Sequence, residues 1–402
     1  MSLRPADKLS YPNGGAELYF LDLVDLLPEA GHAVAPFSMR HAQNQATPFA
    51  RHFVSPVDYE RASGWRAVQA VGRTVYNRET VRRVRDLVQE FRPDVAHLHN
   101  VHHQLSGSLF EALGEARVPV VQTLHDFQWV CPVYTFTRNG RVCEECHHGR
   151  VLPAVRHRCH SGSLARSLVA ALELQVGVWR GWERRVSLFL APSRFLGETV
   201  VRHGLPKAKV RRFGYCLRLD GYRRTAPRER HALYAGRLSA EKGIETLLRA
   251  LADVPDLHLR IAGGGPLEPA LRRLAAAVAP GRVRFLGHLD AASLRDELCR
   301  AAFVVVPSEW YENQPYAVLE AFAMETPVVG ADIGGIPELV VEGETGALFE
   351  SGSSRSLTEA LMRLASGDVA SLGRAARARV EQEFDPARHI QDLCALYAEA
   401  AA

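Results

Sequence analysis

Two carboxylates, Glu312 and Glu320, flank an expected helix start, with seven residues between them, in a stretch that opens Ser308-Glu309-Trp310-Tyr311-Glu312-Asn313-Gln314-Pro315. Pro315 suits the first helical position, where a missing N–H costs nothing. Tyr316 to Met324 read as a short apolar helix. A helix N-terminus presents unpaired backbone N–H groups, and its dipole favours a phosphate. Upstream, Gly236-Arg237-Leu238 and Glu241-Lys242-Gly243 put two cations between an expected strand and the next helix. Arginine offers a forked donor and lysine a point charge, a combination that suits a diphosphate. Carboxylates beside such a site are badly placed for phosphate but well placed for the hydroxyls of sugar and ribose. Together these residues describe a nucleotide-sugar site, the alternatives being surface ion pairs and ordinary exposed cations.

The elements that must position these residues alternate between strand and helix signals, which argues for parallel sheets flanked by helices. At 402 residues the chain is long for one core, so two domains are expected. The boundaries fall at 1–210, 211–385 and a closing segment 386–402. First-half strands are expected at His32–Phe37, Val95–His99, Pro119–Leu124 and Leu188–Ala191, with helices at Glu17–Pro28, Arg78–Gln89, Gly107–Glu115 and Ser163–Arg185. Periodicity fades from Val210 to His231, the expected interdomain connection. Beyond it, strands are expected at Leu233–Gly236, Leu257–Ala262, Val283–Leu286, Phe303–Pro307 and Val328–Ala331, alternating with helices led by Glu241, Leu267, Ser293, Pro315 and Ser356. Gly263-Gly264-Gly265-Pro266 reads as a tight strand-to-helix turn.

Composition narrows the class. The net charge of +4 hides thirteen Lys/Arg against three Glu between Arg150 and Arg212. No nucleic-acid motif accompanies them, so nucleic acid is not the expected partner. An anionic membrane surface or a phosphorylated acceptor fits, as does a solvated arginine-rich face. The helix near Leu168–Trp182 is either an interfacial stripe or core packing. No apolar run reaches spanning length and no signal-peptide pattern opens the chain, so a cytoplasmic protein is expected, peripheral to the membrane if the basic face docks there.

Cys131, Cys143, Cys146 and Cys159 fall within 29 residues, and Cys143-Glu144-Glu145-Cys146 is a C-x(2)-C knuckle. Four thiolates point to a closed, structural zinc site, with isolated thiols or a redox pair as alternatives. His147, His157 or His160 could replace one sulfur. His97, His99, His102 and His103 form a second cluster, read as loop and acceptor-cleft residues ahead of a metal site.

These motifs, in this order, resemble the retaining family 4 glycosyltransferases of the GT-B fold. The resemblance runs from Tyr11-Pro12-Asn13-Gly14-Gly15-Ala16-Glu17 through Gly31-His32, Asp94-Val95, His97, His99 and His125-Asp126. It continues through the two cationic motifs and the Glu312/Glu320 pair to a closing helix after Phe384-Asp385. It implies two Rossmann-like α/β/α domains facing a central cleft, the last helix crossing back to the first. Arg237 and Lys242 would hold the donor diphosphate, Glu320 the ribose and Glu312 the donor sugar. The nucleobase would lie at Gly287-His288-Leu289, and His125 over the sugar as an orienting group. Gly14, Gly15, Gly236, Asn313, Gln314, Pro315, Tyr316 and Ala317 complete the implied donor site. Gln314-Pro315 stands where glycine is commoner, and proline has no N–H to offer, so amide contacts would come from Tyr316 and Ala317. Residues 127–162 would be an insertion beside the acceptor. The expected function is sugar transfer, with retention and no catalytic metal, from a UDP- or GDP-sugar to a glycan, lipid-linked or small-molecule acceptor. One departure is large: relatives place an apolar strand before the Gly-Gly loop, whereas residues 1–10 are charged and contain proline. That segment is not expected to be a buried parallel strand. A non-catalytic nucleotide-sugar binder with an incomplete first domain is therefore the alternative.

Overall fold

The computed structural model describes residues 1–11, 14–57 and 64–402; Pro12 and Asn13 of the first glycine motif lie outside them. The chain divides into two compact units, one of Met1–Phe136, Cys143–Tyr215 and Pro386–Ala402, the other of Thr137–Val142 and Cys216–Asp385.

The first unit is built on β1 (Ser2–Ala6), β2 (Ala33–Val34), β3 (Val95–Leu98), β4 (Val120–Thr123), β7 (Leu188–Ala191) and β8 (Val210–Arg212). All pair in parallel, in the order β2-β1-β3-β4-β7-β8. Every residue of β3, β4 and β7 is buried, as expected of parallel strands covered on both faces. A short antiparallel hairpin, β5 (Thr137–Arg138) with β6 (Arg141–Val142), lies apart from this sheet.

The opening segment corrects the sequence reading. β1 is a strand inside the sheet, in register with β3 from Leu3↔Val95 to Ala6↔Leu98. Pro5 is tolerated because its carbonyl accepts from Phe37 N–H at 3.0 Å on the β2 side, so its missing donor faces the short edge strand. The central β3 side keeps its bonds: Ser2 accepts from Asp94 N–H and Ala6 from His99 N–H, both at 2.8 Å. Leu3 and Ala6 are fully buried. The first sheet does not lack its opening strand, and the ground for an incomplete domain goes with it.

A second correction concerns 163–185. Gly181, at φ 64°, ends the helix Leu164–Arg180 in the left-handed region, and a separate turn, Trp182–Arg185, follows. Trp182 is buried in a slot between Gly107 and Gly177, where an added Cβ would lie 2.1 and 2.7 Å from its ring. Its indole N–H donates to Glu111 Oε1 at 2.9 Å. The closing helix Pro386–Ala401 buries His389, Ile390, Leu393 and Tyr397 within the first unit.

The second unit holds β9 (His231–Ala235), β10 (His258–Ala262), β11 (Val283–Gly287), β12 (Phe303–Val306), β13 (Val328–Ala331) and β14 (Gly346–Phe349). They are parallel, in the order β11-β10-β9-β12-β13-β14. The first and fourth strands of this unit therefore lie side by side, and the winding reverses between them. Ligands of doubly wound sheets bind beyond the carboxyl ends of the strands at such a switch point.

Because Leu3 is a fully buried residue of an inner strand, Leu3→Ala is expected to lower stability by about 2–4 kcal/mol. Denaturant unfolding would show the loss as a lower midpoint at unchanged slope; an unshifted midpoint would mean that residues 1–6 are not part of the sheet.

Candidate functional site

In the second unit the predicted donor residues gather at the carboxyl ends of the strands. Past β9, Gly236 donates to Ala262 O at 3.0 Å, and Tyr234 OH donates to the Arg237 carbonyl at 2.8 Å. This fixes the turn that carries Arg237, which is exposed and, among the described residues, has no ion-pair partner. The Gly263–Gly265 turn packs on the same loop: a Cβ on Gly263 would meet the Gly236 carbonyl at 2.0 Å. The glycines there serve close backbone approach.

Lys242 follows in a 3₁₀ turn, Ala240–Lys242, ended by Gly243 at φ 66°. Its Nζ lies 2.6 Å from Glu312 Oε1 and 4.7 Å from the centre of the Trp310 ring. Ser308 Oγ and Trp310 Nε1 donate to the same oxygen, each at 2.8 Å. Burial pushes the Glu312 carboxyl up, but the charge and hydrogen bond of Lys242, with the other two donors, outweigh it and hold the group below its ordinary range. The pair thus spans the switch point, Lys242 from the β9 side and Glu312 from the β12 side. Gly334, at φ 63°, lets the backbone close over Glu312, whose carbonyl accepts from Gly335 N–H at 2.7 Å.

Pro315 is the N-cap of the helix Tyr316–Ala323 rather than its first residue, with extended backbone at ψ 120°. Its carbonyl accepts from Val318 N–H at 3.0 Å, so the amides of Tyr316 and Ala317 open the helix, as the missing proline donor requires. Gln314 is buried; Asn313 is half-buried. Glu320, on the helix, accepts from Tyr222 OH at 2.8 Å. Burial pushes its carboxyl up, opposed by Tyr222 and by the charge of Arg295. Gly287 (φ 70°), His288 and Leu289 end β11, two strands and about 10 Å across the sheet from β9. The site therefore offers cations and helix amides in the middle, with carboxylates on one side and the β11 end on the other.

Gly14, Gly15 and His125 belong to the first unit. Gly14 caps the helix Gly15–Glu29, its carbonyl accepting from Leu18 N–H at 3.0 Å. His125, past β4, sits between His99 Nδ1 (2.9 Å from Nε2) and Tyr215 OH (2.8 Å from Nδ1). Beside it His97 bonds Tyr397 OH and Thr123 Oγ1, each at 2.7 Å, and Tyr19 OH bonds His389 Nε2 at 2.9 Å. Burial drives His97, His125 and His389 down to about 3, with the nearby imidazoles of His125 and His389 adding to the effect at His97 and the charge of Lys8 at His125. These imidazoles are neutral, and each His–His or His–Tyr bond couples the tautomers of its members.

The comparisons with known proteins agree with this layout. Residues 13–213 match the model of Glycosyltransferase Family 4, and residues 229–367 match Glycosyl transferases group 1. The chain belongs to the family 4 glycosyltransferases. It is 31% identical over 308 residues to the glycogen synthase of Mycobacterium tuberculosis, covering 74% of this chain and 66% of that protein, just under two thirds of its length. It is 28% identical over 377 residues to the phosphatidyl-myo-inositol mannosyltransferase of Mycolicibacterium smegmatis, covering 91% of this chain and 84% of that protein. Among solved structures, sucrose-phosphate synthase from Thermosynechococcus elongatus superposes with a TM-score of 0.73 at 20% identity, covering 99% of this chain and 98% of that one. HepE from Anabaena in complex with UDP and glucose gives 0.69 at 19%, covering 99% of each chain. These likenesses establish the GT-B fold.

Several residues that hold these groups within each unit escaped the sequence reading. Asp7, buried beyond β1, accepts from Leu9 N–H at 3.0 Å and Asn100 N–H at 3.2 Å, joining two strand-end loops. Burial, with the charge of Glu17 adding, pushes its carboxyl up to about 7. Glu173 is buried against His103 at 2.6 Å, which places His102 and His103 in an ion-pair cluster and His97 and His99 in the core. Tyr215, Tyr222, Ser308 and Trp310 position site groups through hydrogen bonds between residues far apart or in loops. A serine and a tryptophan near Glu312 were the only available signal.

The four cysteines expected to hold zinc lie near enough to feel one another's charge. Cys131 and Cys146 are buried, Cys143 and Cys159 half-buried, all as free thiols. Burial pushes Cys131 up to about 11 and Cys146 up to about 12, with the neighbouring cysteines adding. Yet among the described residues no group of three or more His, Cys, Asp or Glu side chains is arranged to hold a metal ion.

The neutral histidines carry a pH signature. Their folded values lie below the ordinary 6.5, so their contribution to stability is complete above about 6.5 and is lost as pH falls toward 3. His97→Gln is expected to flatten the fall in melting temperature between pH 7 and 4, while lowering stability at pH 7 by about 1–3 kcal/mol through lost hydrogen bonding. An unchanged slope would mean that His97 is not buried as a neutral ring.

Proposed function

We propose that the chain is a retaining glycosyltransferase that moves a sugar from a nucleoside diphosphate donor to a glycan, lipid-linked or small-molecule acceptor. The observation that carries this is the switch-point arrangement in the second unit: Arg237 exposed, Lys242 held against Glu312, and Glu320 held by Tyr222. Arg237 and Lys242 would take the diphosphate, whose arrival competes with Glu312 for the Lys242 ammonium. The cations then stabilise charge on the departing nucleotide, the part a metal plays elsewhere, so no catalytic metal is called for. Glu312, kept ionised by its three donors, would accept from donor-sugar hydroxyls and stabilise positive charge developing at the anomeric carbon. Glu320 would accept from the ribose hydroxyls, with the base at the β11 end near Gly287-His288-Leu289. Retention follows if the acceptor hydroxyl attacks from the face the phosphate leaves, its proton passing to that phosphate. His125, neutral and engaged on both ring nitrogens, suits orientation better than proton abstraction.

A uridine donor is favoured because HepE, of the same fold, is described with UDP and glucose. A glycan or lipid-borne acceptor is the reading suggested by the glycogen synthase and phosphatidyl-myo-inositol mannosyltransferase relatives.

A thermal-shift series with UDP, GDP, ADP and TDP tests the donor site. One diphosphate at a hundred times its Kd should stabilise the protein by about 2.7 kcal/mol, and Arg237→Ala should abolish most of that shift. Glu312→Gln should retain diphosphate binding but lose roughly a hundredfold or more in turnover. Absence of a shift with every nucleotide would overturn the assignment.

A further inference from the structure

Among the described residues, twelve large apolar side chains are exposed, and seven of them lie on three helices: Trp65–Val75, Leu152–Arg156 and Leu164–Arg180. Both shorter helices pack on the third. Along Leu164–Arg180 the exposed residues are Leu164, Leu168, Leu172 and Trp179. At 3.6 residues per turn they fall within an arc of about 80°, away from the buried Ala170, Leu174 and Gly177. Leu152 (77% exposed) extends this stripe on one neighbouring helix, and Trp65 (72%) and Val68 (57%) on the other. Trp179 is 71% exposed, in contrast to the buried Trp182 three residues on.

The charge around the stripe is mostly positive. Residues 150–185 contain seven arginines and two glutamates. Glu173 is buried against His103, and Glu183 is half-buried beside Arg184. Arg150, Arg156, Arg158, Arg166, Arg184 and Arg185 are exposed. Tryptophan and leucine on one helical face, bordered by several exposed arginines against the exposed Glu145 that pairs with His157, match an interface whose interior is apolar and whose surface is anionic. No helix among the described residues is long and apolar enough to cross a membrane, so contact of this kind would lie along the surface.

We propose that this three-helix face docks on an anionic lipid bilayer, with Leu164, Leu168, Leu172 and Trp179 entering the headgroup layer and the surrounding arginines pairing with lipid phosphates. The proposal does not rest on the donor reading. It is tested by co-sedimenting the full chain with phosphatidylcholine vesicles with and without phosphatidylglycerol, over a salt series. Binding is expected only with phosphatidylglycerol present, weakening as salt rises, and brominated lipid should quench tryptophan fluorescence. Leu168→Glu with Trp179→Glu should weaken binding at least tenfold, and Met362→Glu, on an exposed residue of the other unit, should not. Arg150→Gln and Arg166→Gln, which leave the apolar stripe intact, should each weaken it roughly fivefold. Melting temperature and the nucleotide-induced shift, read on every variant, separate a misfolded chain or a failed donor reading from a failed docking face. No binding to anionic vesicles, or binding that the folded variants leave unchanged, would overturn the proposal. So would a dimer in gel filtration that Leu168→Glu with Trp179→Glu turns into a monomer, because the face would then join two copies of this chain.

Discussion

The carboxylate of Glu312 is a largely buried charge, its side chain 12% exposed, and the second unit is arranged around making that tolerable. An ionised carboxyl removed from water needs compensation from opposite charge and hydrogen bonds, or it takes up a proton instead. Three donors converge on one oxygen, from Lys242, Ser308 and Trp310. They come from loops after two strands that adjoin in space although two strands and three helices separate them along the chain. Only a sheet that reverses direction between β9 and β12 brings them together. The same contact leaves Lys242 poised beside exposed Arg237, so the group that neutralises Glu312 at rest is one that a diphosphate could claim.

The first unit solves a different problem with neutral groups. His97, His99, His125 and His389 are polar rings in an apolar interior, and hydrogen bonds to Tyr397, Thr123, Tyr215 and Tyr19 make their burial affordable. Two of the groups in these bonds, His389 and Tyr397, come from the closing helix. The strand-end histidines therefore depend on the last residues of the chain as much as on their own strands, and that helix is held by polar pairing as well as by Ile390 and Leu393.

Much of this was legible beforehand. Continuous apolar runs such as Phe303–Val306 and Val328–Ala331 announced buried parallel strands, and glycine and proline marked the turns after them. The donor residues were recognisable because their roles follow from charge and helix termini. β1 was not legible: Ser2–Ala6 carries arginine and proline, and its place depends on Pro5 facing a two-residue edge strand. Gly181 divided what periodicity joined, because one left-handed residue ends a helix without disturbing the apolar spacing around it.

Residue types and their order by themselves determined the alternating architecture, the family and the chemistry available at the carboxyl ends of the second sheet, because strand burial, turn chemistry and charge are local properties. The tertiary structure alone decided which oxygen of Glu312 collects three donors, that Tyr222 holds Glu320, that His125 has both nitrogens engaged, and that Trp179 faces out while Trp182 is buried. Those outcomes depend on hydrogen bonds and packing between segments tens to hundreds of residues apart, and nothing in a local pattern encodes the partner at the other end.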